Sequence, residues 1–296
     1  MDYKQAQTSS TVASYVQTAQ PFRPAGQHGL TASPFFAPQI RADLQTLYDT
    51  LAALRAVADA ANFVDETREF LIDCIETGLT GEVPNSGQEP TEFTVAALRL
   101  YNVQAEGRFD AQWGQRLIQA TRRDISRPTC ASWSDLMLYC RYEAEPLGRA
   151  VLQLHGINDA ESERATDAIT AALLVLRLLA RMGDDWKLYG RCYLPTDWIA
   201  EAGGSPEQLV EKRSSPALIT TKERVLERVA HLLMLAQPLP QLIENPRLKA
   251  EAWRLLASAK YQYRQLQARD PLAHKIAIPM WRKALIHARA WWLAKR

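Results

Sequence analysis

The stretch RLLARMGDDWKLYGRCYLPTDWI, Arg177 to Ile199, gathers most of the residues in this 296-residue chain whose types and spacing could do chemistry. Arg177, Arg181 and Asp185 recur at steps of four, which on a helix stacks them on one face. Asp184 stands next to Asp185, and Arg191 and Tyr193 follow in a Gly-Arg-Cys-Tyr-Leu-Pro turn. Carboxylates on a helix face can present oxygens to a cation. Guanidinium groups repel a metal and instead fork onto phosphate oxygens. One face thus carries two opposed chemistries, and the elements around it have to decide between them.

Those elements read as helices. Leu44, Leu47, Tyr48, Leu51, Leu54, Ala58, Ala61 and Asp65 fall at steps of three or four, so the spacing predicts one helical face, apolar until it reaches Asp65. The Gly, Pro and Asn content of Thr80 to Thr91 predicts a loop, and helical patterns resume over 92–101 and 109–125. Ser132 or Ser134 is placed to cap a helix through LMLYCRYEAEPLGRAVLQLHG, with a kink expected at Pro146 and an end at Gly156. Further helices are expected over 160–182, 222–236, 247–269 and 272–294. No period-two strand pattern competes, which makes the chain all-α. Residues 1–36, rich in Gln, Ser, Thr, Pro and Gly, are expected to form a flexible leader, and 37–296 a single helical domain.

Composition narrows the function. A formal net charge of +2 gives no electrostatic reason to bind nucleic acid. The four cysteines have no CxxC pair and no metal-ligand spacing with the five histidines, so reduced thiols in a cytoplasm are expected. The chain has no apolar run of spanning length and no signal-peptide pattern at its start. Gly-rich phosphate loops, GxSxG elbows, HExxH and kinase signatures are all missing.

The run YCRYEAEPLG, a helical spacer, and then DDWKLYGRCYLP resembles the squalene/phytoene synthase family, and most of all its hopanoid-pathway branch; VDE on the early helix and YQYRQLQARDP near the end also correspond. The resemblance spans about residues 40–290. It implies an all-α isoprenoid-synthase-type bundle around a central cavity, which joins prenyl diphosphates such as farnesyl diphosphate. It also implies two facing Asp-x-x-x-Asp motifs that share Mg²⁺, a metal that takes hard oxygen ligands and neutralises the leaving diphosphate.

Laid onto this sequence, the first motif begins at Ala61, has Asn62 where an Asp often stands, and ends at Asp65; the second begins at Arg181 and ends at Asp185. Each keeps only its last carboxylate, and Arg177 stands one turn earlier where the family usually carries Asn. Three readings follow. In one, Arg177, Arg181 and Arg191 hold the diphosphate in place of metal, helped by Asn62 and Tyr193, with Asp65, Asp185 and Tyr139 as catalytic residues. In the second, Asp65, Glu66, Asp184 and Asp185 still bind Mg²⁺. In the third, Arg181 pairs with Asp185 and with Asp65, and the chain is a catalytically silent partner or assembly factor.

Tyr139 and Tyr193 match family positions near the cavity, where aromatic faces and hydroxyls can meet a cation or diphosphate. Glu143 and Glu145 interrupt a run that is small and apolar in the family. Near the end, Trp281, Leu285, Ala288 and Trp292 share one helical face with Arg, Lys and His elsewhere. That helix either lies on a membrane surface as a peripheral contact or packs its tryptophans on the core.

Overall fold

The computed structural model describes residues 32–60, 63–82 and 91–295, and the expected loop tip and most of the expected leader lie outside them. The described chain is helical, and outside the helices it contains a lone parallel bridge between Thr129 and Cys192. Packing divides it into two compact units: the chain through Ile125 with Gln153–His155, and Ser126–Leu152 with Gly156 onward.

In the first unit, α1 (Pro38–Ala58) starts on a proline, whose fixed φ and missing N–H suit a first turn. It buries Leu44, Leu47, Leu51, Leu54 and Val57, and ends at Ala58. The predicted single face from Leu44 to Asp65 is therefore broken: Asp65 opens a separate helix, α2 (Asp65–Gly78). With Glu66 it places negative charge in the first turn, where the helix dipole favours it. Then come α3 (Glu92–Ala105), capped by the Thr91 hydroxyl on the Thr94 amide, and α4 (Gln112–Ser126).

Polar side chains lock this unit together. The buried Thr50 hydroxyl of α1 donates to the Ala96 carbonyl of α3 at 3.2 Å. Arg122 of α4 reaches Asp73 and Glu76 of α2 at 2.5 and 2.8 Å. Residues 35 and 36, read from composition as leader, are packed: Phe35 and Phe36 are buried, and Phe36 meets the His155 ring edge-on at 5.3 Å.

The second unit starts with α5 (Trp133–Glu143), capped by Ser132, and α6 (Glu145–Leu154). The break between them falls at Ala144, because Pro146 has no N–H to extend the preceding helix. The long α7 (Ala160–Tyr189) is capped by Asp159, whose carboxylate accepts from the Ser162 amide at 2.8 Å. It runs seven residues past the expected end at Met182 and stops at Gly190, whose φ of 65° supplies the left-handed turn of a C-cap. Beyond it lie α8 (Thr196–Glu201), a short 3₁₀ turn (Pro206–Val210), α9 (Pro216–Ala236), α10 (Leu239–Leu242), α11 (Pro246–Ala268) and α12 (Met280–Leu293).

Helix α7 is the spine of this unit, packed against α5, α9, α10, α11 and the 3₁₀ turn. The last helix begins at Met280 rather than near Leu272, because Pro279 restricts Ile278 and cannot donate within a helix. Its tryptophans do not pack on the core: Ile286 and Ala290 are buried instead.

The packing of α6 on α7 depends on a missing side chain. A Cβ at Gly148 would lie 2.6 Å from Thr166 Cγ2 and 2.8 Å from Thr170 Cγ2, and β-branched threonines have little rotamer freedom with which to yield. Gly148→Leu is expected to cost about 1–3 kcal/mol by overpacking, measured as a lower midpoint in urea denaturation; an unchanged midpoint would mean the two helices can separate freely.

Candidate functional site

Helix α7 brings the expected residues of the second motif together. Arg181 Nη2 lies 3.3 Å from Asp185 Oδ1, one turn along. Arg177, one turn the other way, donates to Glu143 Oε1 of α5 at 2.8 Å. The Gly190 cap then turns the chain back, and the Arg191 amide donates to the Asp185 carbonyl at 3.2 Å. Arg191 is buried, with its guanidinium 4.9 Å from the centre of the Tyr189 ring.

Tyr139 of α5 and Tyr193 of the turn meet with ring centroids 5.1 Å apart, and both lie within electrostatic reach of Arg177. The turn is anchored on its other side, where the Cys192 amide donates to the Pro128 carbonyl and the Cys130 amide to the Cys192 carbonyl. The four cysteines are buried free thiols, and burial pushes Cys192 up to about 12, out of nucleophilic range at neutral pH.

Burial dominates the electrostatics of Asp185. Its side chain is 9% exposed, and taking the carboxylate out of water raises its pKa to about 6 even though Arg181, Arg177 and Arg191 all favour the ionised form. The cluster brings three guanidiniums, Arg177, Arg181 and Arg191, together with the carboxylates of Asp185 and Glu143. Below pH 6 its positive charge grows as Asp185 takes up a proton.

The other expected residues are placed differently. Asp184 is exposed, since neighbours on a helix point about 100° apart. Asp65 and Glu66 belong to the first unit and are exposed. The Asp65 carboxylate accepts from Arg68 Nη1 at 2.7 Å, while Arg68 Nη2 donates to the Ala60 carbonyl at 2.8 Å. Within its own unit, Arg68 is a cation that Asp65 meets. Asn62 lies outside the described residues.

Magnesium calls for several hard oxygen ligands in a near-octahedral set. Among the described residues no group of three or more His, Cys, Asp and Glu side chains could hold a metal ion. The one buried carboxylate of the second motif already faces Arg181 and stands amid two further guanidiniums. This half of the site does not fit the metal. The partner that residue spacing could not foresee is Glu143, 34 residues from Arg177, whose pairing depends on how α5 lies against α7. Behind Tyr193, a void lined by Leu136, Val175, Leu178, Leu179, Leu194 and Val225 has a volume of only about 10 Å³, room for no more than one water molecule, and admits no prenyl chain.

The helical architecture is that of the isoprenoid synthases. Across 98% of this chain and 97% of the other, it superposes on the crystal structure of a squalene synthase from Alicyclobacillus acidocaldarius with a TM-score of 0.61 at 22% identity, a likeness of fold. The squalene/phytoene synthase family model matches residues 23–282. A hydroxysqualene synthase of Rhodopseudomonas palustris is 31% identical over 83% of this chain and 81% of its own length, and one of Sinorhizobium fredii 27% identical over the same shares. The chain belongs to the squalene/phytoene synthase family.

Two measurements test this geometry. Because Asp185 holds its proton up to about pH 6 when folded, against 3.8 for an ordinary Asp, the folded state carries more protons between about pH 4 and 6. The contribution of Asp185 to stability therefore falls as pH rises through that window. Relative to Asp185→Asn, the wild type should lose up to about 3 kcal/mol between pH 4 and 7, read by urea denaturation across pH; a constant difference would show that Asp185 is not desolvated. Arg181→Asp creates a carboxylate pair with Asp185 at i,i+4, and calorimetry is expected to detect a gain in Mg²⁺ binding over the wild type. No gain would show that position 181 does not stand where a metal can be held.

Proposed function

We propose that this chain binds a prenyl diphosphate at Arg177, Arg181 and Arg191 and ionises it for prenyl transfer, with guanidiniums doing what carboxylate-bound Mg²⁺ is expected to do in the family. The observation that carries this reading is the convergence of three guanidiniums, from one face of α7 and from the turn that follows its cap, around the buried Asp185.

Ionisation breaks the bond between the allylic carbon and oxygen and leaves its electron pair on the diphosphate. Stabilising that developing charge is worth most where the donors are held in advance and water is excluded. Glu143 holds Arg177, Asp185 holds Arg181, and the Tyr189 ring holds Arg191, so the forks are ordered before the ligand arrives. Glu143 and Asp185 act here as positioning residues. The paired faces of Tyr139 and Tyr193 are suited to the allylic cation left behind. Two relatives are hydroxysqualene synthases, and hydroxysqualene is built of two farnesyl halves, so farnesyl diphosphate is the substrate to test first.

A second reading has its own support. Arg177 and Arg181 each already have a carboxylate partner, and a cluster closed on itself suits a catalytically silent member that serves a protein partner or an assembly.

Diphosphate release from farnesyl diphosphate by the purified chain separates the readings. Release that persists under chelation and falls by about 10²-fold or more in Arg181→Met, the scale of losing one oxyanion donor, is the expected result. Strict dependence on Mg²⁺ would return the role to the carboxylates, and no release by either route, together with no diphosphate binding in calorimetry, would favour the silent reading.

A further inference from the structure

We infer that α12 is a docking surface for an anionic lipid membrane. On this helix Trp281, Leu285, Ala288 and Trp292 follow the spacing i, i+4, i+7, i+11 and form one stripe, which faces away from the buried Ile286 and Ala290. The stripe is exposed: Trp281 is 62%, Leu285 55% and Trp292 47% accessible, and Met280 and Trp291, at 77% and 55%, widen it. A run of large apolar side chains along one helix, three of them Trp, is a contiguous patch rather than the scattered exposure normal to a protein surface.

The chemistry around the stripe selects its occupant. Residues 271–296 contain six Lys and Arg and not one Asp or Glu. Among them Arg289 and Lys295 are exposed beside the apolar stripe, and Lys283 is exposed on the far side of the helix. A helix with a tryptophan-bearing apolar face, basic flanks and no acid matches an interface that is apolar within and anionic at its rim, where indole rings sit at the headgroup level. A protein interface core, by contrast, depletes lysine. No described helix is long and apolar enough to cross a membrane, so the contact is with one surface of the bilayer.

The helix is firmly mounted for this. Ile286 and Ala290 are buried, Arg282 lies 5.6 Å from the Tyr261 ring centre, and Arg289 lies 5.0 Å from that of Trp253, both on α11. The stripe residues contribute little to that packing, so they can be replaced without emptying the core. The inference does not depend on whether the arginine cluster is catalytic.

Co-sedimentation of the full chain with vesicles of phosphatidylcholine, with and without phosphatidylglycerol, tests it, with circular dichroism to verify that each variant is folded. The wild type should bind the anionic vesicles, lose binding as salt rises, and show a blue shift in tryptophan fluorescence. Trp281→Glu with Leu285→Glu should weaken binding by more than tenfold. Lys295→Ala should weaken binding to anionic vesicles by about fivefold, the effect of one basic residue near a charged surface, and Lys283→Ala, on the far side of the helix, by less. Absence of vesicle binding, or binding unchanged in the double Glu variant, overturns the inference; a dimer in sedimentation velocity that dissolves in that variant, without vesicle binding, assigns the stripe to a second copy of the chain.

Discussion

A carboxylate taken out of water must be neutralised or must keep its proton, and Asp185 is held between those two outcomes. Its burial follows from its place on the inner side of α7, near the end of a helix against which most of the second unit packs. Arg181, Arg177 and Arg191 then follow as its counterions, and Glu143 as the acid that pairs with Arg177. Remove the burial and the cluster becomes an ordinary surface ion-pair array, worth little. With it, the same residues become a preorganised cationic site whose charge depends on pH.

The helix cap makes this arrangement possible. Gly190 adopts a positive φ that closes α7 and sends the chain back over its own last turn, which places Arg191 and Tyr193 beside Asp185 and Tyr139. The turn is anchored to Pro128 and Cys130 through backbone hydrogen bonds, so the two flanking arginines approach from different elements and neither relies on a flexible loop. Positioning from rigid elements is what an anion site needs if its donors are to be ordered beforehand.

Family membership and the local chemistry therefore point in different directions on the metal. The fold and the sequence relatives belong to the squalene/phytoene synthases, while the groups described around the buried Asp185 are guanidiniums. Glu143, on the facing helix, pairs with Arg177. Pairing of this kind offsets part of the cost of burying charge.

Much was legible from residue order alone. The all-α class, the Ser132 cap, the break at Pro146, the ends of most helices and the stacking of Arg177, Arg181 and Asp185 depend on local periodicity and on the geometry of Pro, Gly and capping side chains, all of which act within a turn or two. The end of α1 was not legible, because an apolar period continues through Ala61 to Asp65 although the helix stops at Ala58. The direction of the last helix was not legible either, since its pattern has an apolar stripe on one side and Ile286 and Ala290 on the other. The sequence by itself determined which residues share a helical face. Only the tertiary structure decided which face is buried and who meets whom across helices, Glu143 with Arg177 and α11 with α12, because those contacts join residues whose separation along the chain carries no periodic signal.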